Sequence, residues 1–339
     1  MIRIEYGDES GKNEEASERP KPVSEARPTT QEKSDKRTPA AASAERTAPV
    51  APAETPNHRC AHTRIPAAGA ISFPGTYGAG SKWKLYNHLI GGIPDGILVR
   101  DYCLGQHWSY VEADCGMGVG WTAHGGAQRG FTHDLRGHEL REVAELSKSW
   151  CFEEATLGVA ALNAWYSRPG LIEAAGATYD DELAATQPGK PADAFDRYRP
   201  AIEAAGGKAR VVVVGHFPHV AGIADYARLT VLERNCRDGL DTPDPACEYV
   251  LPEADFAFIT GVTLINKTAP RLLDLARDAT TVMVGPSVVM SPFLLKWGVD
   301  ALCGSVVADP EKTRFAVKNG AGKLFGEALR MTTLQSAQR

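Results

Sequence analysis

The chain holds 339 residues, 43% of them apolar, with 37 basic against 42 acidic side chains and a formal net charge of -5. That length accommodates two ordinary domains of roughly 100 to 200 residues each. The mildly acidic balance, with no long basic cluster, argues against nucleic acid and an anionic membrane surface as partners, and no run approaches the ~18 apolar residues of a membrane helix.

From Gly7 to Asn57 the chain is built of Glu, Lys, Ser, Thr, Pro, Ala and Arg, with almost no large apolar side chains. Such a segment buries too little apolar surface to offset an ordering entropy of roughly 1 to 2 kcal/mol per residue. Residues 1–57 therefore read as a disordered tail. No basic region followed by an apolar stretch opens the chain, and the acidic residues near its start disfavour a transit peptide. Seven cysteines without a CxxC pair suit a reduced protein, so the expected location is cytoplasmic.

Folded sequence begins near Lys82. The stretch WKLYNHLIGGI has the spacing of an amphipathic helix, while Gly96 to Cys103 and Trp108 to Asp114 read as strands. A glycine-rich segment, CGMGVGWTAHGG, follows, then a helix LRGHELREVAELSKSW and a second apolar helix CFEEATLGVAALNAWYS, stopped at Arg168-Pro169-Gly170. Strands followed by helices make residues 82–170 an α+β unit. The turn signals in Gln187-Pro188-Gly189-Lys190-Pro191 mark residues 171–209 as a linker, with a connecting helix starting near Pro200.

Residues 210–325 alternate. VVVVG, LTVLE, FAFIT, TVMVG and ALCGSVV are short apolar runs of the kind buried on both faces, with helical stretches at Pro270 to Asp278 and Glu311 to Lys318. Such alternation predicts a Rossmann-like parallel sheet, in which ligands bind beyond the carboxyl ends of the strands.

Four strand ends carry polar or glycine-rich turns. Gly215-His216-Phe217-Pro218-His219 stands where a dinucleotide-binding chain carries GxGxxG, and its proline removes an amide donor, so classical NAD binding is not expected. Glu233, followed by Arg234 and Asn235, ends the second strand, where an acidic residue holds a ribose in many Rossmann proteins; a surface ion pair is the plain alternative. Thr260, Gly261, Thr263, Asn266 and Thr268 cluster hydroxyls and an amide at the next strand end, as an anion site or as helix caps. Gly285-Pro286-Ser287 closes the fourth. No GxSxG elbow supports a serine hydrolase, and the spacings of His216 with His219, His133 with His138, and Cys236 with Cys247 match no closed zinc site.

At these turns the chain resembles the putative heavy-metal chelation family. The blocks are GHFP, LTVLERN with DGLDTPD, LPEADFAFITGVTLINKT, VGPSVVMSP and GVDALCGSVVAD, from about Val211 to Asp309. The preceding CGMGVGWTA, LRGHELREVAELSKSW and ATLGVAALNA, with Asn163, are similar to the enolase-N-terminal-like domain that accompanies that family. The resemblance implies an α+β cap on a Rossmann-like domain and a ligand site in the cleft between them. The matching positions are Glu233, Asn235, Thr260, Gly261, Thr263, Asn266, Thr268, Gly285, Pro286, Ser287 and Asn163. It implies a metal ion or an anionic metal chelate as ligand. Two other readings compete: an enzyme acting on a nucleotide-like or small anionic substrate, and a scaffold whose tail recruits a partner. A homo-oligomer is compatible with all three.

Overall fold

The computed structural model describes residues 81–130, 133–182, 193–237, 239–324, 326 and 328–336. The chain divides into two units, Met1–Ala61 and His62–Arg339. The segment expected to be a disordered tail, residues 1–57, lies outside the described residues, which all belong to the second unit.

Helix α1 (Lys84–Gly91) opens the described chain and buries Leu85, Tyr86, Leu89 and Ile90. A three-stranded antiparallel sheet follows, β1 (Val99–Leu104), β2 (Trp108–Ala113) and β3 (Gly116–Trp121). The helix expected over Leu135 to Trp150 is much shorter. Gly137 turns through a left-handed φ of 82°, so α2 spans only Leu140–Ala144 before tightening into a 3-10 turn at Glu145–Lys148. Helix α3 (Phe152–Tyr166) is buried on nearly every side, as its Ala-rich sequence without a polar stripe requires.

Strand β3 comes from the glycine-rich segment, and the reason is steric. Residues two apart share one face of a strand, and Gly116, Gly118 and Gly120 all face α3. A Cβ on Gly118 would stand 2.1 Å from the Ala164 amide and 2.3 Å from the Ala160 carbonyl. One on Gly120 would lie 3.3 Å from the Thr156 carbonyl. Helix backbone thus rests directly on strand backbone.

The main sheet contains β4 (Thr178–Tyr179), β5 (Arg210–Val214), β6 (Arg228–Glu233), β7 (Asp241–Pro243), β8 (Phe256–Thr260), β9 (Thr280–Val284), β10 (Ala301–Val307) and β11 (Leu329–Gln335). Their order is β4-β11-β10-β9-β8-β5-β6-β7. From β5 to β10 neighbouring strands run parallel, and their order is the 3-2-1-4-5-6 of doubly wound sheets. Strand β11 adds antiparallel to β10, and β4 to β11. The region read as a linker therefore donates an edge strand, and another strand lies beyond residue 325. The connecting helix also starts earlier than Pro200. Asp193 accepts hydrogen bonds from the Phe195 and Asp196 amides and caps a helix over Ala194–Glu203, with Pro200 inside it.

Alternate side chains of each parallel strand enter different cores. Val212, Val214, Leu232, Ala257, Ile259 and Met283 share one continuous apolar cluster with α1, α2 and α3, so the amino-terminal half packs on that face. Val211, Val213, Val231, Phe258, Val282, Val284 and Cys303 point the other way, against Ala194 and Ile202 of the capped helix.

Candidate functional site

The connection from β5 to β6 buries Val220 and Ile223 on the second face, while that from β8 to β9 buries Leu264, Ile265 and Leu272 on the first. Adjacent strands β5 and β8 thus send their chains to opposite sides, which opens a crevice at their carboxyl ends. The register sets Leu232, Val214, Ile259 and Met283 in one row facing the amino-terminal half. The next row, Glu233, Gly215, Thr260 and Val284, faces the other side, with Val284 in the second core. Glu233 and Thr260 therefore share a face, one strand apart, at a spacing of about 10 Å.

Gly215 and Gly285 turn the chain at these ends with φ of 102° and 103°. A Cβ on Gly215 would lie 3.1 Å from the Thr260 Cβ and 3.5 Å from the Phe217 ring, and one on Gly285 would lie 3.8 Å from the same ring. Phe217 consequently lies across the strand ends where a glycine loop would bring amides to a pyrophosphate.

The Glu233 carboxylate is fixed by backbone amides. Its Oε1 accepts from the His216 amide at 2.9 Å and its Oε2 from the Arg234 amide at 2.9 Å. His216 Nδ1 lies 2.9 Å from Oδ1 of Asp241, whose side chain is only 1% exposed and whose Oδ2 accepts from the Arg237 amide at 2.8 Å. Two amides leave carboxylate lone pairs unused. Asn235 is exposed just beyond.

At the β8 end, Thr260 Oγ1 accepts from the Val262 amide at 3.3 Å, so the hydroxyl hydrogen remains available to a ligand. Gly261 is a packing residue, since a Cβ there would come within 2.4 Å of the Val288 amide. Thr263 is buried and donates to the Thr260 carbonyl at 2.7 Å. Asn266 Oδ1 accepts from the Thr268 amide at 3.1 Å and hydroxyl at 2.6 Å, which closes those two residues on each other.

The remaining positions stand at the junction of the two halves. Asn163 donates to the Val119 carbonyl at 2.9 Å and the Pro286 carbonyl at 3.4 Å, and accepts from the Ser167 hydroxyl at 2.9 Å. Ser287 Oγ accepts from the Trp121 amide at 2.8 Å. Both side chains are buried. The expected positions thus divide: Glu233, Thr260, Gly285 and the exposed Asn235 edge the crevice, Thr263 bonds back to its own strand end, and Asn163, Pro286 and Ser287 fill the junction.

Sequence reasoning passed over Ser305. It follows Cys303 by two residues on β10 and so lies on the same face as Glu233 and Thr260, towards the carboxyl edge. Its Oγ is buried with no hydrogen-bond partner among the described residues. Also among the described residues, no group of three or more His, Cys, Asp or Glu is placed to hold a metal ion.

Residues 201–332 match the family DUF364, described as putative heavy-metal chelation, and residues 86–166 match DUF4213, which carries the same description. A solved DUF364 protein of unknown function from Desulfitobacterium hafniense is 32% identical, with a TM-score of 0.67 over 75% of this chain and 99% of that one. The chain belongs to the putative heavy-metal chelation family. An uncharacterized protein of Methanocaldococcus jannaschii is 29% identical over 272 residues, which span 73% of this chain and 94% of the relative. A second solved DUF364 protein of unknown function, from Pyrococcus horikoshii, is 23% identical, with a TM-score of 0.58 over 75% of this chain and 98% of that one, and shares the fold.

This DUF364 chain carries one more unusual group. Lys267 has a left-handed backbone, φ 66°, rare for a residue with a Cβ. Its Nζ donates to the Ser149 carbonyl and, at 2.7 Å, to the Ile265 carbonyl, and lies 5.7 Å from the ring centroids of both Trp150 and Phe152. Burial lowers its pKa to about 7, against the pull of Cys151 and Glu154. Glu154 is itself buried and accepts from the Gly130 amide and the Ser149 hydroxyl. Only the left-handed position after Asn266 hints at this in sequence terms; the low pKa arises from residues more than a hundred positions away. No helix among the described residues is long and apolar enough to cross a membrane.

Proposed function

We propose that the protein binds a metal chelate at the carboxyl edge of its parallel sheet, on the face that carries Glu233 and Thr260. The observation that supports this most is the shared row of Glu233, Gly215 and Thr260 at the crevice between β5 and β8. A carboxylate with unused lone pairs suits the residual positive charge of a bound hard metal. A hydroxyl with a hydrogen to donate, at Thr260, suits an oxygen atom of the organic ligand. A bare ion fits the described residues poorly, because no three-ligand cluster is present among them. The chelate supplies the missing ligands in this reading. The family description supports metal chelation only in general terms.

The test is calorimetric titration of the full chain with iron(III) citrate and nickel(II) citrate, with citrate and nickel chloride alone as controls. Binding of a metal citrate, absent with citrate alone and at least tenfold weaker in Glu233→Gln and Thr260→Val, is the expected result. Equal affinity in both variants would move the site elsewhere, and heat from neither chelate would remove the reading.

A further inference from the structure

We propose that Lys267 is a nucleophilic amine that forms an imine with a small aldehyde or ketone. This site is separate from the sheet edge and does not depend on chelate binding there.

The geometry carries the inference. A neutral lysine amine has two hydrogens and one lone pair. Here two carbonyls from different segments, Ser149 before α3 and Ile265 after β8, accept those hydrogens. The nitrogen is thereby held in one orientation, with its lone pair directed away from both acceptors. Trp150 and Phe152 flank the amine and limit its hydration, yet Trp150 is 52% exposed and Lys267 is only partly buried, so a small molecule has an approach. The left-handed backbone at Lys267 is a conformation that persists where surrounding contacts enforce it. The charged and titratable groups that act on the amine are Glu154 and Cys151. Glu154 is occupied by the Gly130 amide and the Ser149 hydroxyl, and the Cys151 thiol, raised by burial, donates to Glu153 at 3.3 Å. Neither holds the ammonium in a direct ion pair.

The chemistry balances without a cofactor. The nitrogen lone pair adds to the carbonyl carbon, and the carbonyl oxygen takes up one amine proton and one from solvent, then leaves as water. The protonated imine keeps a single N–H, which one of the two backbone carbonyls still accepts. The other carbonyl is released. An amine of pKa about 7 is half neutral at pH 7, on the order of a thousandfold more than an ordinary lysine of pKa near 10.5.

Reductive trapping tests the proposal on the unmodified protein. The full chain is treated with acetaldehyde and sodium cyanoborohydride at pH 7, digested, and mapped by mass spectrometry. Ethylation at Lys267 is expected at least tenfold faster than at the exposed Lys82 and Lys296, and the excess disappears when the protein is first unfolded in urea. A structural lysine would not produce this selectivity. Modification of Lys267 at or below the rate of Lys82 and Lys296 in the folded protein overturns the assignment. Because wild-type protein is used, loss of fold in a variant does not confuse the outcome.

Discussion

The backbone amide of Trp121, the last residue of β3, donates to the hydroxyl of Ser287, in the turn after β9, at 2.8 Å. This one bond ties the end of the small antiparallel sheet to the carboxyl edge of the large parallel one. Asn163 reinforces it from α3 through the Pro286 carbonyl. Ser287→Ala leaves a partly buried amide without its acceptor, at an expected cost of about 1 kcal/mol. Asn163→Ala removes two donated bonds and one accepted bond, and is expected to cost more than the serine change. For a folded region of this size each kcal/mol lowers the melting temperature by roughly 2 to 4 °C, which calorimetry resolves. A Ser287→Ala protein as stable as wild type would show that the bond carries no weight.

The glycines of β3 and α3 make a sharper prediction. Gly118→Ala and Gly158→Ala each place a methyl group against backbone, 2.1 Å from the Ala164 amide and 1.9 Å from the Ser147 amide respectively. Backbone cannot yield as a side-chain tip does, so both variants are expected to lose at least about 3 kcal/mol or to fail to fold. Gly91 has open space around it and lies in α1, where alanine is the better helix former. Gly91→Ala is expected to be neutral or to gain up to about 1 kcal/mol. Urea unfolding of the three proteins side by side ranks them.

Lys267 adds a pH dependence whose sign is fixed by its depressed pKa. The folded value, about 7, lies below the ordinary 10.5, so between these two pH values the unfolded chain binds more protons than the folded one. Stability from this group therefore rises from pH 7 to pH 10.5. Below pH 7 the amine is charged in both states, and the full cost of burying that charge is present. Lys267→Met removes this contribution, so its advantage over wild type is expected to be largest at pH 6 and to shrink as pH climbs. Paired urea titrations at pH 6, 8 and 9.5 measure it, and a difference that stays constant across the series refutes the assignment of a low pKa.

Much of the parallel sheet was legible in the sequence because strands covered on both faces leave uninterrupted apolar runs, as in Val211 to Val214 and Phe256 to Thr260. Strand β7, three residues with a proline, has no such run. Strand β3 was hidden by Gly116, Gly118 and Gly120, since glycine suggests a turn unless the helix lying on it is known. Strand β4 was masked by the proline-rich stretch after it. Within the candidate site, Glu233 and Thr260 were readable as polar residues ending apolar runs. The structural roles of Asn163, Thr263 and Ser287 were not, because an amide or hydroxyl that binds a ligand and one that satisfies a neighbouring backbone have the same composition. The two become distinguishable only when burial and partners are seen. Lys267 depends on Trp150, Phe152 and two carbonyls that no local pattern brings together.

The row of bare α-carbons along β3 works as a spacer of zero thickness. With no side chain between helix and strand, the amino-terminal layer sits at the smallest separation that peptide groups allow, and Trp121 arrives at a fixed height above Ser287. Any methyl group added to that row acts as a shim. It would lift the whole layer, draw Trp121 off its hydroxyl partner, and loosen the Gly285 turn beside the crevice from a distance.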